Sequence, residues 1–154
     1  MIDIEDVARD VVDAAIKVHI ALGPGLLESA YRECHAFELR KRGRIVLTEV
    51  KLPLVYDGNR IDVGYKLDEL VDDLIIVENK VVETLHPVHQ AQLMTYLKLS
   101  GKQIGFLLNW NVKRMKDGIR RVVYNLATPS PYPSGKYPPR PSRCAKRNLA
   151  FLAG

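Results

Sequence analysis

Gly64-Tyr65-Lys66-Leu67-Asp68-Glu69-Leu70-Val71-Asp72-Asp73-Leu74-Ile75-Ile76-Val77-Glu78-Asn79-Lys80 reads as a β-hairpin with acids and a lysine at its closing ends. Residues 61–71 and 74–82 are the strand candidates, and Asp72-Asp73 between them is a turn signal. Strands this apolar belong in a core, where a charge is expensive unless it is paired or holds a metal. If the loop takes in Asp72 to Leu74, Asp68 lies opposite Glu78, with Cβ atoms roughly 5 Å apart. A two-residue loop makes the two acids diagonal and still lets them share an ion. Period two puts Glu78 and Lys80 on one face, beside Asp68 and Lys66. Two acids and a lysine in that setting are the parts of a metal-dependent phosphodiesterase. The plainer reading is an exposed edge-strand ion pair of Lys80 with Asp68 or Glu78.

An acid two residues before a lysine is a weak pattern by itself. With 18 acids and 11 lysines in 154 residues, about one is expected by chance. A second copy, Glu49-Val50-Lys51, lies on another strand candidate but has no comparable acid just before it. Spacing and context therefore carry the argument.

Toward the N-terminus, residues 3–20 carry apolar positions at Val7, Val11, Ala14, Ala15, Val18 and Ile20, a helical spacing that Gly23-Pro24-Gly25 breaks. A second helix is expected over 28–42, with Leu27, Ala30, Tyr31, Cys34 and Phe37 as its apolar stripe and Gly43 as its stop. A strand over 45–55 precedes the hairpin, across an Asp57-Gly58 turn. Pro87 opens a helix over 87–100, closed by Gly101. Strands over 103–109 and 119–126 finish the core. The order helix, helix, three antiparallel strands, helix, two strands predicts an α/β fold with a mixed central sheet flanked by helices.

The length fits one domain with a sizeable core. No run of about 18 apolar residues suggests a membrane span, and the acidic start, Met1-Ile2-Asp3-Ile4-Glu5-Asp6, is unlike a signal peptide. Two cysteines, Cys34 and Cys144, are too few for a disulfide framework, so a reducing, cytoplasmic setting is expected. No paired Cys or His spacing suggests zinc. The net charge of +5 comes from residues 128–154, which hold five basic residues, no acid and six of the nine prolines. That stretch is expected to be a basic, Pro-rich, disordered tail on a domain of residues 1–127. The domain itself is neutral, so the basic balance says little about its partners.

The blocks of this chain resemble the GxxExxY family of the PD-(D/E)xK nuclease superfamily. Gly25-Leu26-Leu27-Glu28-Ser29-Ala30-Tyr31 matches the name-giving motif, and Gly64–Asp68, Ile76–Lys80, His89–Leu93, Tyr96–Lys98, Gly105–Asn109 and Gly118–Arg121 look like the core blocks, in order. The match covers roughly residues 3–126 and implies the restriction-endonuclease-like fold. There are departures. Lys66 stands where the family often has Arg, which keeps the charge and loses the bidentate fork. Glu69 and Asn79 stand where apolar residues are usual, and Glu69, on the face opposite Asp68, is expected either to be solvated or to disturb the packing.

The resemblance implies that Asp68 and Glu78 hold Mg²⁺, or Mn²⁺, with the Asn79 carbonyl as a further ligand and retained waters filling the shell. Lys80 would orient a water or stabilise the charge growing on phosphorus. Two adjacent carboxylates favour the charged ammonium, which suits that electrostatic role better than that of a base. Glu28, in the first turn of its helix, either completes the metal site or complements the helix dipole. Tyr31, three residues on, is a core residue or a substrate contact. Gln92 either positions Lys80, touches phosphate or is a surface residue. His89 and Tyr96, on the same helical face, are candidate substrate contacts, as is Lys66. His89 is otherwise a polar helix-start residue. His35 and His86 carry no stronger case. Trp110 either stacks on a base or packs over the end of the sheet.

Two functions follow from this reading. One is a Mg²⁺-dependent nuclease with a nucleic-acid partner, DNA before RNA. The other is a catalytically silent binding or adaptor module on the same fold. A neutral domain needs its cations clustered to hold a polyanion, and Arg40, Lys41, Arg42 and Arg44, or Lys113, Arg114, Lys116, Arg120 and Arg121, are candidate rims. Small nucleases of this kind often dimerise, so a homodimer is an open expectation.

Overall fold

The computed structural model describes residues 1–124, so the expected tail and the last residues of the final strand lie outside the described part. Helices α1 (Ile4–Leu22) and α2 (Glu28–Lys41) come first. Strands β1 (Val46–Tyr56), β2 (Asn59–Val71) and β3 (Ile75–Lys80) follow. Helix α3 (Pro87–Ser100), β4 (Ile104–Asn109), a 3-10 turn at Met115–Gly118 and β5 (Ile119–Val123) complete the chain. The expected α/β architecture with a mixed sheet is the one observed.

The five strands lie in the order β1-β2-β3-β4-β5. Their pairs are antiparallel except β3 with β4, which run parallel because α3 carries the chain back between them. β3 is thus the middle strand, which rules out the edge-strand reading of Glu78 and Lys80. Its Ile75, Ile76 and Val77 are buried on both faces, as expected of a strand covered by helices on each side. Val7, Val11, Ala14, Tyr31 and Leu39 of α1 and α2 pack with Val71, Ile75, Val77, Phe106 and Leu108. On the other face Leu93, Tyr96 and Leu97 of α3 pack with Leu70, Ile76, Leu107 and Val122. Gly105 in β4 allows that contact: a Cβ there would stand 2.8 Å from the Leu93 side chain.

The β2–β3 loop takes in Asp72, Asp73 and Leu74, with both aspartates at positive φ (50° and 56°) and Val71 paired with Ile75. That is the longer of the two expected loops, and the ladder runs Leu70–Ile76 and Glu69–Val77 toward Asp68 and Glu78. Beyond Leu67 the other end of β2 leaves the body of the sheet with β1 as an exposed two-stranded ribbon, turned at Asp57-Gly58.

Helix α2 departs from its expected stripe. Phe37 and Leu27 are 67% and 77% exposed, whereas Tyr31, His35, Ala36 and Leu39 are buried. Both sets have helical spacing. Tyr31, common to both, stacks on Trp110 at 4.7 Å with the rings 5° apart, and the buried set wins because Glu69 waits in the sheet to pair with His35. In α1, Ile20 likewise points out, 80% exposed.

Candidate active site

Asp68 and Glu78 meet where the β2–β3 ladder opens. The Asp68 N–H donates to Glu78 Oε1 at 3.1 Å, and the Asn79 N–H donates to Asp68 Oδ2 at 2.8 Å. Each carboxylate thus takes a backbone donor of the opposing strand. Asp68 Oδ1 and Glu78 Oε2 accept no hydrogen bond among the described residues. No described buried side-chain polar atom lacks a partner, so these two oxygens reach solvent. Burial, and then the charge of Asp68, push Glu78 up to about 8. Burial also raises Asp68, against the Asn79 N–H and the charges of Lys80 and Arg32.

Lys80 lies on the same strand two residues on, outside ion-pair distance of either acid among the described residues. Its Nζ donates to Gln92 Oε1 at 3.3 Å, and Gln92 Nε2 donates to the Tyr96 hydroxyl at 3.0 Å. Of the three alternatives for Gln92, the hydrogen bond to Lys80 is the contact that the positioning one requires. Tyr96 is buried, with its ring against Tyr65 at 5.9 Å, and burial followed by the charge of Glu78 raises its hydroxyl. It supports Gln92 rather than presenting a surface.

His89 sits at the third position of α3 and closes a reciprocal cap with His86, whose N–H donates to His89 Nδ1 at 2.9 Å. The helix-start role is therefore real. Burial, then Lys80 and His86, lower the His89 pKa. With Nδ1 accepting, the neutral ring carries its hydrogen on Nε2, a donor without a hydrogen-bond partner among the described residues, on the helix turn before Gln92.

Glu28 begins α2. Burial raises its carboxyl against the pull of Lys80, and Asp68 raises it further, so it stands within electrostatic reach of both. Its placement depends on the preceding loop. Gly25 has φ 111°, open to glycine, and the Tyr31 hydroxyl donates to the Gly23 carbonyl while accepting from Leu26 N–H at 3.2 Å. Tyr31 is fully buried with its hydroxyl committed, so of its two expected roles the core one is observed.

Behind the carboxylates runs a polar chain that the sequence did not reveal. His35 Nδ1 faces Glu69 Oε2 at 2.9 Å and His35 Nε2 faces the Val11 carbonyl at 3.0 Å. Both ring nitrogens meet acceptors, so both donate and the ring is an imidazolium. Burial opposes that charge, but Glu69 outweighs it and the pKa rises. Asn79 Nδ2 reaches Glu69 at 3.4 Å, and Trp110 Nε1 donates to Asn79 Oδ1 at 2.9 Å. Glu69 is therefore neither solvated nor disruptive. Glu69 and Asn79, the two unusual residues, are one feature, and Trp110 packs inside instead of offering a stacking surface. The available signal was the pair of polar residues, Glu69 and Asn79, at positions where apolar residues are usual. Arg32 was also missed. Its charge reaches Asp68 and Glu28, and its place four residues after Glu28 was the available clue.

Whether these groups suit a metal can be tested on the donors. Among the described residues no three acidic, His or Cys side chains stand together as a metal cluster. Two hard carboxylate oxygens pointing to solvent nonetheless fit an ion such as Mg²⁺, which keeps several waters and takes one or two carboxylates. A divalent charge would also offset the burial and the neighbouring Asp68 charge that raise Glu78. The Asn79 side chain turns to the opposite face, leaving only its carbonyl as a candidate ligand.

The candidate basic rims are partly spent. Arg42 and Arg44 pair with Asp10, and Arg44 also with Asp72 at 3.1 Å. Arg40 donates to the Val46 carbonyl, and Arg121 is locked to Glu5 at 2.6 Å. Among the described residues no helix is long and apolar enough to cross a membrane. A family profile described as the PD-(D/E)XK nuclease superfamily matches residues 5–122. No curated protein and no solved structure matches the chain.

Proposed function

The chain belongs to the PD-(D/E)XK nuclease superfamily, and on that footing we propose that it is a metal-dependent nuclease, of the GxxExxY family, that hydrolyses phosphodiester bonds in DNA ahead of RNA. The observation that carries this reading is the pair Asp68 and Glu78. They are cross-bonded through opposing backbone N–H groups, each with one oxygen left for solvent, and Lys80 follows on the same face. Nucleases of this superfamily generally use divalent metals, and Mg²⁺ or Mn²⁺ suits these oxygens, with Glu28 and the Asn79 carbonyl as further candidate ligands. Such an ion, when bound, supplies charge relief on phosphate oxygens and acidifies a water.

The remaining work falls to the chain. The Lys80 ammonium, aimed by Gln92, faces the charge that grows on phosphorus. Tyr96 holds Gln92, and so the ammonium is positioned before substrate arrives. His89 offers its Nε2–H to a phosphate oxygen, and Lys66 adds a cation two residues before Asp68. These groups all come from one chain, so a second copy is not needed to complete the site.

The test incubates purified protein with labelled single- and double-stranded DNA and RNA, with Mg²⁺, Mn²⁺ or a chelator. Metal-dependent cleavage that disappears in folded Glu78→Ala and Lys80→Ala variants is the expected result. A wild type that cleaves nothing and binds no metal through Asp68 and Glu78 returns the protein to the silent binding-module reading.

A further inference from the structure

Resting on the nuclease reading, we propose that the groove along the β1–β2 ribbon, at Lys51, Arg60 and Lys66, seats backbone phosphates of the strand that Asp68, Glu78 and Lys80 cut. The register carries it. Lys51 and Lys66 are direct cross-strand partners, so their side chains leave the same face. Like charges so placed repel, and no described residue pairs with Lys51 within ion-pair distance. A groove of about 450 Å³ is lined by both lysines together with Arg60, Asp62 and Tyr65. Three cations against Asp62 and Glu49, which pairs with Lys66, still leave it positive, while residues 1–127 as a whole are neutral.

The groove is continuous with the chemistry. Lys66 and Asp68 are i and i+2 on β2, hence on one face about 7 Å apart. Tyr65, the residue between Gly64 and Lys66, turns to the other face of β2 and packs on Tyr96 behind Gln92. Of the arginines that the sequence offered as a rim, Arg42 and Arg44 are taken by Asp10 and Asp72 and Arg121 by Glu5, whereas the ribbon lysines lie on the strand that carries Asp68 or directly across from it.

Glu49 gives the groove an internal stand-in for phosphate. It lies in register with Asp68, between the Thr48–Glu69 and Val50–Leu67 pairs, but at φ 52° it leaves the extended strand. Its Oε1 stands 3.3 Å from Lys66 Nζ and 3.9 Å from Arg32 Nη1. A substrate phosphate would compete for the same two cations.

The experiment measures binding of a fluorescent single-stranded oligonucleotide by anisotropy, in chelator so that nothing is cut, over a salt series. The proteins are wild type, Lys51→Gln/Lys66→Gln, Arg60→Gln, Glu49→Gln and, as a surface control, Arg9→Gln on the exposed side of α1. The ribbon double variant should bind several-fold more weakly, with its log–log salt slope reduced by about 2, one for each phosphate that a lysine no longer neutralises. Arg60→Gln should act in the same direction, Glu49→Gln should tighten binding, and the control should match wild type. All the substituted ribbon residues are exposed, and removing the Lys–Lys repulsion leaves the fold at least as stable, which a thermal melt checks. A ribbon double variant equal to wild type, with a wild type that binds and cleaves, overturns the groove alone. A wild type that binds no oligonucleotide and cuts none overturns the nuclease reading with it.

Discussion

At Glu78 burial and the neighbouring charge of Asp68 act in the same direction, and together they hold the carboxyl near 8 against an ordinary 4.5. Without metal the folded protein therefore keeps a proton that the unfolded chain releases between those values. The native state binds more protons there, so stability falls as pH rises through that window, by at most about 1.4 kcal/mol per pH unit for this one group. His35, with its pKa raised, slopes the same way, because its pairing is complete at low pH and is lost as pH rises through its folded value. Glu78→Gln isolates the first contribution. Urea denaturation of metal-free protein at pH 5 and pH 8 should show a steeper loss for wild type than for the variant, and Mg²⁺ should stabilise wild type more at pH 8 than at pH 5. Equal losses in the two proteins would mean that Glu78 is ionised throughout. This residue was legible from the spacing of the hairpin. Its environment was not, since the protonation follows from how closely two strands bring two acids together.

At the scale of elements, α2, β2 and β3 are joined behind the site by His35, Glu69 and Asn79, all fully buried. A buried pair broken on one side leaves an uncompensated charge, so His35→Ala and Glu69→Ala should each lose about 3–5 kcal/mol by urea denaturation. His35→Leu/Glu69→Leu removes both charges and should recover most of that loss. A double variant as unstable as the singles would show that the pair does more than neutralise itself. Helix α3 fell within the limits that Pro87 and Gly101 announce, because its start and stop are local chemistry. The buried face of α2 could not be read so directly. Two helical stripes were open in its sequence, and the choice between them was made by a glutamate 34 residues away.

For the whole molecule, the charge is divided between residues 1–127, whose acids and bases balance, and a basic C-terminal stretch, residues 128–154. The ladder closes at Val123 with Tyr124 N–H donating to the Gln103 carbonyl, upstream of that stretch. A chain ending at Ala127 should therefore melt with the same cooperativity and midpoint as the full chain. Its oligonucleotide affinity should fall with a shallower salt slope, since five cations have gone. A lowered midpoint would place part of the fold beyond residue 127. Order of elements, loop lengths and the approach of Asp68 to Glu78 were written in local periodicity and turn residues, whose physics spans a few positions. The fate of the polar residues was not. That Glu69 is buried and satisfied, that Arg42 and Arg44 after α2 are spent on Asp10 and Asp72, and that Lys51 faces Lys66 depend on which distant side chains the packed sheet brings together. Only the folded chain sets those distances.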